Sequence, residues 1–494
     1  GTYCTDETMR WGQDCAEPDE PQDYETHSLF VYDLGSGRML RRIPGLGNVA
    51  NDLAYSPDGR HLAVAVGGGA RSLVLETATW TVVAELGMND GASYNLAWSP
   101  DGRLATVTYD GVIRLYDQSF RQVRARRPYA GERPFDIAFS PDGGLLAVGY
   151  ESMRQLLVLD GRTLATVTEP DVTDVSEQAD MGKVEWSADG SRLVAGGSDS
   201  FEAGTWWPRY IRVWEDRGAG AYQDLGISGN TILDLETLPD GSLAVVSGQP
   251  DIIFLNPELK IAWQKDSPNF DYSAVDRSHF RMSGDGREIG ATPYGGEPFV
   301  FDVAGRSLRG EASQHPAYRD SARGLTLTEW INTSAPRLNG RTLDFLEAYE
   351  WSRSVAVAQD GSFAVIGGDW NLYSVNPDGS QRWKARTPGA AWTVNVSGDG
   401  RLVGAAYADG TIRWYDAGDG TELLALYVHA DGQRWVLWTP SGYYDAAPGG
   451  EDLIGWHVNR GLETEPVFFG AALFRDRYYR PDVVQAILAT RDEA

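Results

Sequence analysis

The sequence predicts an all-β protein built from repeated four-stranded blades that close radially, which is the β-propeller fold. Three observations predict it. A turn that ends in Asp-Gly recurs along the chain, each time between two short apolar runs. Consecutive turns lie about 40–50 residues apart, which is the length of one four-stranded blade. Apolar residues do not recur with the 3.6-residue period of a helical solenoid.

The recurring turn has a sequence that suits a tight reversal between two strands. Pro presets φ at the first corner, Asp hydrogen-bonds its own backbone, and Gly adopts the positive φ that other residues resist. The first complete example is Ser56-Pro57-Asp58-Gly59. Related turns begin at eight further positions, the last with Ser in place of Asp: Ser99, Ser140, Ser187, Leu238, Ser283, Ala358, Ser397 and Thr439.

Short apolar runs follow the turns directly and predict strands. Leu62–Val66 and Leu145–Val148 are examples, and continuous apolar runs of this length are typical of strands buried on both faces. Another run follows in many units, as in Ile211–Glu215 and Ile412–Asp416, and predicts the third strand of a blade. Radial closure would protect the edges of so many strands.

The interval that follows Gly286 is longer than the others and leaves the blade count open. It contains a plausible hairpin within residues 325–345, and residues 28–42 form another strand pair. If these two parts joined into one blade, a seven-bladed ring would close and three further units, 351–468, would remain. The alternative is one larger ring of about ten blades.

Four parts are expected along the chain. They are an acidic N-terminal segment at 1–25, propeller blades at 26–350, blade units that continue the propeller at 351–468, and a helical tail at 469–494. The tail is predicted to be helical because Pro481 suits a helix start and the apolar residues after it share one face. Those residues are Val483, Val484, Ile487 and Leu488.

The block from Trp435 to Val484 is predicted to be part of the propeller rather than a linker. Its turn at Thr439 keeps the blade interval, and Trp435 alternates with Leu437 as strand residues do. Linkers are rich in small and polar residues, whereas this block is rich in aromatic ones.

The charge of the chain excludes two classes of partner. It has 70 acidic and 43 basic residues, for a formal net charge of −27. Such a surface repels nucleic acid and anionic lipid, and no apolar run approaches the ~20 residues of a membrane helix. We therefore expect neither nucleic-acid binding nor membrane insertion. The charge either keeps the protein soluble or forms an acidic face for a basic partner.

The two cysteines, Cys4 and Cys15, both lie in the acid-rich N-terminal segment. Their spacing permits a disulfide bond, which would indicate an oxidising compartment. The chain begins at Gly1, as it would after removal of a signal peptide or in a fragment of a longer chain. An extracytoplasmic location, periplasmic or secreted, is slightly favoured over a cytoplasmic one.

The turns and third strands resemble WD40 repeats, although the sequence contains neither a Gly-His nor a Trp-Asp pair. A narrower resemblance is to bacterial WD40 proteins associated with caspase-like peptidase domains. It implies a propeller that senses or binds beside an effector domain, and the sequence contains only the propeller part. Four runs carry this resemblance: Asp409–Tyr415, Trp435–Asp445, Leu453–Gly461 and Tyr479–Val484.

Catalytic and metal-binding patterns are absent from the sequence. None of the six histidines has metal-pair spacing, and no calcium loop of the D-x-D-x-D-G type occurs. No cysteine follows Cys15, so no Cys–His dyad can form within the repeats. Gly379–Trp383 is reminiscent of the docking motif of quinoprotein propellers, but a Trp packed between blades explains it more simply. We therefore predict no cofactor, no metal and no enzymatic activity.

The segment from Ser198 to Tyr210 is longer than its counterparts in the other repeats and is the best local candidate for partner binding. It contains Trp206, Trp207 and Arg209, residue types that dominate binding hot spots. The alternative is that the tryptophans fold back onto the blade.

Together these features predict a non-catalytic scaffold that senses or binds a protein partner. One alternative is a propeller enzyme that uses carboxylates and a metal in the central channel. Another is a structural surface or assembly protein.

Overall fold

A computed structural model describes residues 27–68, 71–87, 92–151, 153–176, 179–198, 209–248, 251–265, 268–273 and 277–493. The chain divides into two compact units, each with its own clusters of buried apolar side chains. Unit 1 comprises Gly1–Asp266 with Leu462–Glu465, and unit 2 comprises Ser267–Gly461 with Pro466–Ala494. Within the described ranges, no helix is long and apolar enough to cross a membrane.

Unit 1 contains one two-stranded sheet and five four-stranded antiparallel sheets among its described residues. In the first sheet, β1 (Ser28–Tyr32) pairs with β2 (Met39–Pro44). The four-stranded sheets are β3–β6 (Ala50–Tyr55, His61–Val66, Ser72–Glu76, Thr81–Leu86), β7–β10 (Ser93–Trp98, Leu104–Thr108, Ile113–Tyr116, Gln122–Arg126), β11–β14 (Arg133–Phe139, Leu145–Glu151, Leu157–Asp160, Thr166–Thr168), β15–β18 (Lys183–Trp186, Leu193–Gly196, Arg209–Trp214, Tyr222–Ser228) and β19–β22 (Ile232–Thr237, Leu243–Ser247, Ile252–Leu255, Ile261–Lys265).

Unit 2 contains three four-stranded sheets, one six-stranded sheet and one strand pair, again counted over the described residues. The sheets are β23–β26 (Arg281–Met282, Glu288–Ala291, Phe299–Asp302, Ser307–Arg309), β27–β30 (Ser321–Ala322, Leu325–Thr328, Arg337–Leu338, Arg341–Thr342), β31–β34 (Ser352–Val357, Ala364–Gly368, Asn371–Val375, Gln381–Arg386), β35–β40 (Ala391–Val396, Leu402–Tyr407, Thr411–Asp416, Glu422–Val428, Trp435–Trp438, Tyr444–Ala446) and β41–β42 (Gly455–Val458, Val467–Gly470). Two α-helices follow, α1 (Arg475–Tyr478) and α2 (Pro481–Thr490).

The predicted fold class is confirmed. The described chain is almost entirely β, eight of its sheets are four-stranded antiparallel blades, and its α-helices lie at the C-terminal end. In unit 1 the first strands of successive blades, from β3 to β19, lie side by side. The strand pair of residues 28–42 forms a sheet of its own, and the hairpin of residues 325–345 lies in the β27–β30 sheet.

The recurring turn owes its shape to a hydrogen-bond pattern between Ser and Asp. In the first example, the Ser56 hydroxyl donates to the Asp58 carboxylate at 2.6 Å, and the amide of His61 donates to the same hydroxyl at 2.9 Å. Gly59 adopts a φ of +68°, which L side chains resist. The same Ser-to-Asp bond occurs in five later turns, with acceptors Asp101, Asp142, Asp189, Asp285 and Asp399.

Tryptophans join neighbouring blades through backbone carbonyl groups. The Trp98 indole N–H donates to the carbonyl of Ala54 at 3.1 Å, and that of Trp186 donates to Ala138 at 3.0 Å. Trp383, the last residue of the quinoprotein-like run, is buried and donates to the carbonyl of Ala417 in the next blade at 2.9 Å. It therefore packs between blades, as the simpler interpretation of that run predicts.

The apolar clusters of unit 2 show which of its blades pack against each other. Trp414, on the β35–β40 blade, is fully buried and donates to the carbonyl of Gly286 in the β23–β26 blade at 2.8 Å. One apolar cluster joins these two blades, a second joins β35–β40 to β31–β34, and a third joins β31–β34 to β27–β30. The first blade of unit 2 therefore packs against the last.

A crossing segment, residues 310–320, connects the first blade of unit 2 to the next one along the chain. Ala317 forms an isolated antiparallel bridge with Arg281. The Asn395 side chain donates to the carbonyl of Pro316 at 3.2 Å, and the amide of Val357 donates to the carbonyl of Arg319 at 2.7 Å. The segment thus passes the first strands of two other blades before β27 begins. Together with the β27–β30 blade, it accounts for the long interval after Gly286.

The C-terminal block extends the β35–β40 blade. Strand β39 pairs with β38, and Trp435 is buried in the same cluster as Leu424 and Leu426. Helix α2 begins with Pro481 and buries three of the four apolar residues predicted to share a face: Val484, Ile487 and Leu488.

Replacing Ile487 by Ala should lower the free energy of unfolding of unit 2 by about 2–4 kcal/mol. The side chain is 1% exposed, and its removal would leave a cavity against β38. Chemical denaturation followed by tryptophan fluorescence measures the change. The control is Thr490→Ala, an exposed position of the same helix, for which we expect a change within about 0.5 kcal/mol. Equal effects of the two substitutions would contradict the packing of α2.

Candidate functional site

The structure covers only part of the residue set predicted to bind a partner. Trp206 and Trp207 lie outside the described residues, as do Cys4 and Cys15. Arg209 is the first residue of β17, opposite Ser228 in β18, and its buried Nε atom has no hydrogen-bond partner among the residues that the structure describes. The partner-binding role of these residues and the disulfide remain predictions.

A row of polar side chains follows the first strands of unit 1. The residue four positions before each turn is Asp52, Asn95, Asp136, Lys183 or Asp234, in successive blades. Because these strands lie side by side, the row crosses from blade to blade. The Asp52 carboxylate accepts the amide of Leu96 in the next blade at 3.0 Å, and the Asp136 carboxylate accepts that of Val184 at 3.1 Å. These side chains therefore join neighbouring blades as well as lining their inner edges.

Two further carboxylates belong to the same surface. Glu185 and Glu236 lie two positions before the turns of their blades. Burial raises the pKa of Asp136 to about 7 and that of Glu185 to about 8. It also raises the pKa of Asp52 and Glu236. Near neutral pH this surface is therefore less negative than its composition implies.

Lys183 lies among these carboxylates. Its Nζ atom is 3.8 Å from the Asp234 carboxylate and 5.0 Å from the centre of the Phe135 ring. Its charge lowers the pKa of Asp52 and Asp136, against the larger effect of burial. The arrangement thus places one ammonium group among several acids, of which Asp136 is buried. In the described part of the chain, no group of three or more His, Cys, Asp or Glu side chains is arranged to hold a metal ion.

Sequence reasoning did not identify this row, although the signal was present. Aligning the repeats on their turns shows that the fourth residue before the turn is polar in every blade of unit 1. A position that is polar in successive repeats, amid apolar strand residues, indicates a role other than apolar packing.

The second candidate is an aromatic pocket in the C-terminal part of unit 2. It is an open cavity of about 410 Å³. Strand β41 approaches β42 so closely that a Cβ atom at Gly455 would collide with the carbonyl oxygen of Phe469. On the adjoining helices, Tyr478 packs on Trp456 with 4.8 Å between ring centres. The residues that line the pocket are Trp438, Gly442, Leu453, Ile454, Gly455, Trp456 and Phe468.

Large apolar side chains are exposed on the two strands that help to form this aromatic pocket and on the 3₁₀ helix Ala471–Phe474 that follows them. Phe468 is 64% exposed and Leu473 is 66% exposed, and Val458 and Phe474 are also exposed. The Trp456 indole N–H has no acceptor within the described residues. The pocket therefore combines an apolar surface with an unused hydrogen-bond donor. Pockets that recognise a specific ligand share this combination.

The runs that carry the narrower resemblance supply most of the aromatic pocket. Trp438 and Gly442 come from the run Trp435–Asp445, and four more lining residues come from Leu453–Gly461. Sequence reasoning assigned this block to the propeller and gave it no binding role. It could not find the pocket because Phe468, which completes it, lies in a different strand and outside every motif.

Comparison with known proteins supports the repeat type. A family model described as "WD domain, G-beta repeat" matches residues 81–117. This stretch begins with β6, the outer strand of one blade, and ends just after β9, the third strand of the next. This stretch of the chain is therefore similar to a WD40 repeat. No curated protein matches the chain. Among solved structures, the chain is similar to the β-propeller domain of Cps50 (Swd1) from Myceliophteria thermophila, at 13% identity and a TM-score of 0.35, over 73% of this chain and 94% of that chain.

Replacing Asp136 by Asn should weaken the pH dependence of stability. Burial raises the pKa of this carboxyl to about 7, above the unfolded value of about 3.9, so the folded protein binds more protons between these pH values. Its contribution to stability is therefore present at low pH and is lost as pH rises through 7. We expect the loss of unfolding free energy between pH 5 and pH 8 to be smaller in the variant, by about 1–3 kcal/mol.

Denaturant titrations at the two pH values measure this difference. The matched control is Asp234→Asn, at the equivalent position of another blade, where the side chain is 64% exposed. The control should retain most of the pH dependence of the unsubstituted protein. If Asp136→Asn also retains the full pH dependence of the unfolding free energy, the Asp136 carboxyl is not buried as described.

Proposed function

We propose that this protein is a non-catalytic scaffold that binds a protein partner through the aromatic pocket of unit 2. WD40-type propellers typically mediate protein interactions and are generally not enzymes. The observation that carries the proposal is the open pocket lined by two tryptophans and a phenylalanine, with exposed apolar side chains beside it. Trp is among the residues most enriched in binding hot spots, and contiguous exposed apolar patches often mark interaction sites.

The occupant that best fits the aromatic pocket is a short extended segment with one large apolar side chain. The cavity volume lies in the lower part of the range for specific ligand pockets. The Trp456 N–H is available to a backbone carbonyl of the segment. Strands β41 and β42 form only a two-stranded sheet, so they offer edges to which an extended segment could add.

We also expect the partner segment to carry basic residues beside its large apolar residue, because the surface near the aromatic pocket is acidic. Asp452 is adjacent to the lining residue Leu453, is exposed, and has no cationic partner within the described residues. The formal charge of −27 also attracts basic segments over longer distances. The proposed partner therefore carries a large apolar residue next to Lys or Arg.

Binding of short labelled peptides tests the proposal. The probes are peptides with Trp, Leu or Ala followed by two lysines, and a Trp peptide followed by two glutamates, measured by fluorescence polarisation. We expect the Trp-Lys-Lys and Leu-Lys-Lys peptides to bind more tightly than the Ala and Glu peptides. Leu473→Ala and Phe468→Ala should weaken that binding at least about tenfold, with an unchanged melting temperature.

The matched control for Leu473 is Leu40→Ala, because both leucines are 66% exposed and Leu40 is in unit 1. This control should leave peptide binding unchanged. The proposal fails if no peptide binds, if the Ala peptide binds as tightly as the Trp peptide, or if Leu40→Ala has the same effect as Leu473→Ala.

A further inference from the structure

A second cavity, of about 290 Å³, lies in unit 2 away from the aromatic pocket. It is formed where the 3₁₀ helix Arg277–His279 leads into β23, beside the end of β24 and the crossing segment. Five polar residues line it, together with three small or cyclic apolar residues that offer contact to a carbon skeleton. The polar residues are His279, Arg281, Thr292, Ser313 and Gln314.

Arg281 provides this cavity with an uncompensated positive charge. Its side chain is half-buried, and its Nη1 atom donates to the carbonyl of His315 at 2.9 Å. Within the described residues, no carboxylate lies within salt-bridge distance of it. The acid on the neighbouring strand, Glu288, is already paired with Arg309 at 2.8 Å and with His315 at 2.5 Å. In a chain with 70 acidic residues, an arginine in a cavity without an acidic partner indicates a site for an external anion.

The other polar groups of the cavity are also able to donate hydrogen bonds. The Ser313 hydroxyl accepts the amide of His315 at 3.2 Å, which leaves its own hydrogen free to donate. The His279 ring and the Thr292 hydroxyl have no hydrogen-bond partner within the described residues. The lining residues that the structure describes include no acid. Convergent donors around a guanidinium fit an oxyanion and disfavour a cation.

We propose that this cavity binds a small molecule through a carboxylate or phosphate group, held by Arg281 and the neighbouring hydroxyl groups. The volume limits the ligand to a small metabolite, because it is at the lower end of the range for small-molecule pockets. The crossing segment contributes Ser313 and Gln314, so an anion in the cavity would also hold this segment against β23. Binding of the anion should therefore stabilise unit 2.

The test uses the full chain, with inorganic phosphate, succinate and acetate titrated separately at constant ionic strength against sodium chloride. Calorimetric titration gives the affinity, and thermal unfolding reports stabilisation. We expect phosphate or a carboxylate to bind and to raise the melting temperature where chloride does not. Which of them binds more tightly distinguishes a phosphorylated ligand from a carboxylic acid.

Arg281→Gln should weaken this binding at least tenfold. The matched control is Arg38→Gln, which removes the same charge from an exposed position in unit 1 and should leave anion binding unchanged. If Arg281→Gln does not fold, Thr292→Val removes one donor at nearly constant volume and should weaken binding several-fold. Binding of the lysine-containing peptides should be unaffected by either substitution, so failure here is distinct from failure of the proposed function.

The proposal is overturned if none of the three anions binds more tightly than chloride. It is also overturned if Arg281→Gln and Arg38→Gln weaken binding equally, because the effect would then be one of net charge.

Discussion

A four-stranded sheet with apolar side chains on both faces must be covered on both faces by neighbouring sheets. In β4, every residue from Leu62 to Val66 is at most 5% exposed, although alternate side chains point to opposite faces. One blade alone would leave all of these side chains in water, and a neighbour on one face only would still leave about half of them there. The repetition of blades, the tryptophan bonds between them and the apolar clusters that span each pair all follow from this requirement.

The same requirement explains why the first blade of unit 2 packs against the last. The β23–β26 blade needs cover for Phe280 and Met282, and it obtains that cover from the β35–β40 blade rather than from its neighbour in sequence. The crossing segment then connects this blade to β27, the first strand of the next blade along the chain. Since the crossing segment runs past the first strands, it also forms the wall of the cavity that contains Arg281.

Sequence patterns predicted the blades well and the sites poorly, for a physical reason. The Ser-Asp-Gly turns act locally, through bonds between residues two to five positions apart, so their sequence alone indicates their structure. The β27–β30 blade was visible only as a hairpin, because its first turn is formed by Arg323 and Gly324 without an Asp. Cavities depend on residues that are distant in sequence, such as Trp438 with Phe468 or Arg281 with Ser313. No local sequence pattern indicates that such residues lie close together in the fold.

The packing of the first blade of unit 2 against the last has a consequence for folding during synthesis. Trp414 is synthesised 128 residues after Gly286, whose carbonyl group accepts the hydrogen bond from the Trp414 indole. At a ribosomal rate of roughly 5–20 residues per second, the apolar face of the β23–β26 blade stays uncovered for roughly 6–25 s, until the residues of the β35–β40 blade have been synthesised. Such a long-range contact also slows folding of the finished chain, because a large loop must close before the contact forms. The nascent chain therefore presents this face to chaperones, or to other unfinished copies of itself, for longer than any blade of unit 1 that packs on its neighbour in sequence.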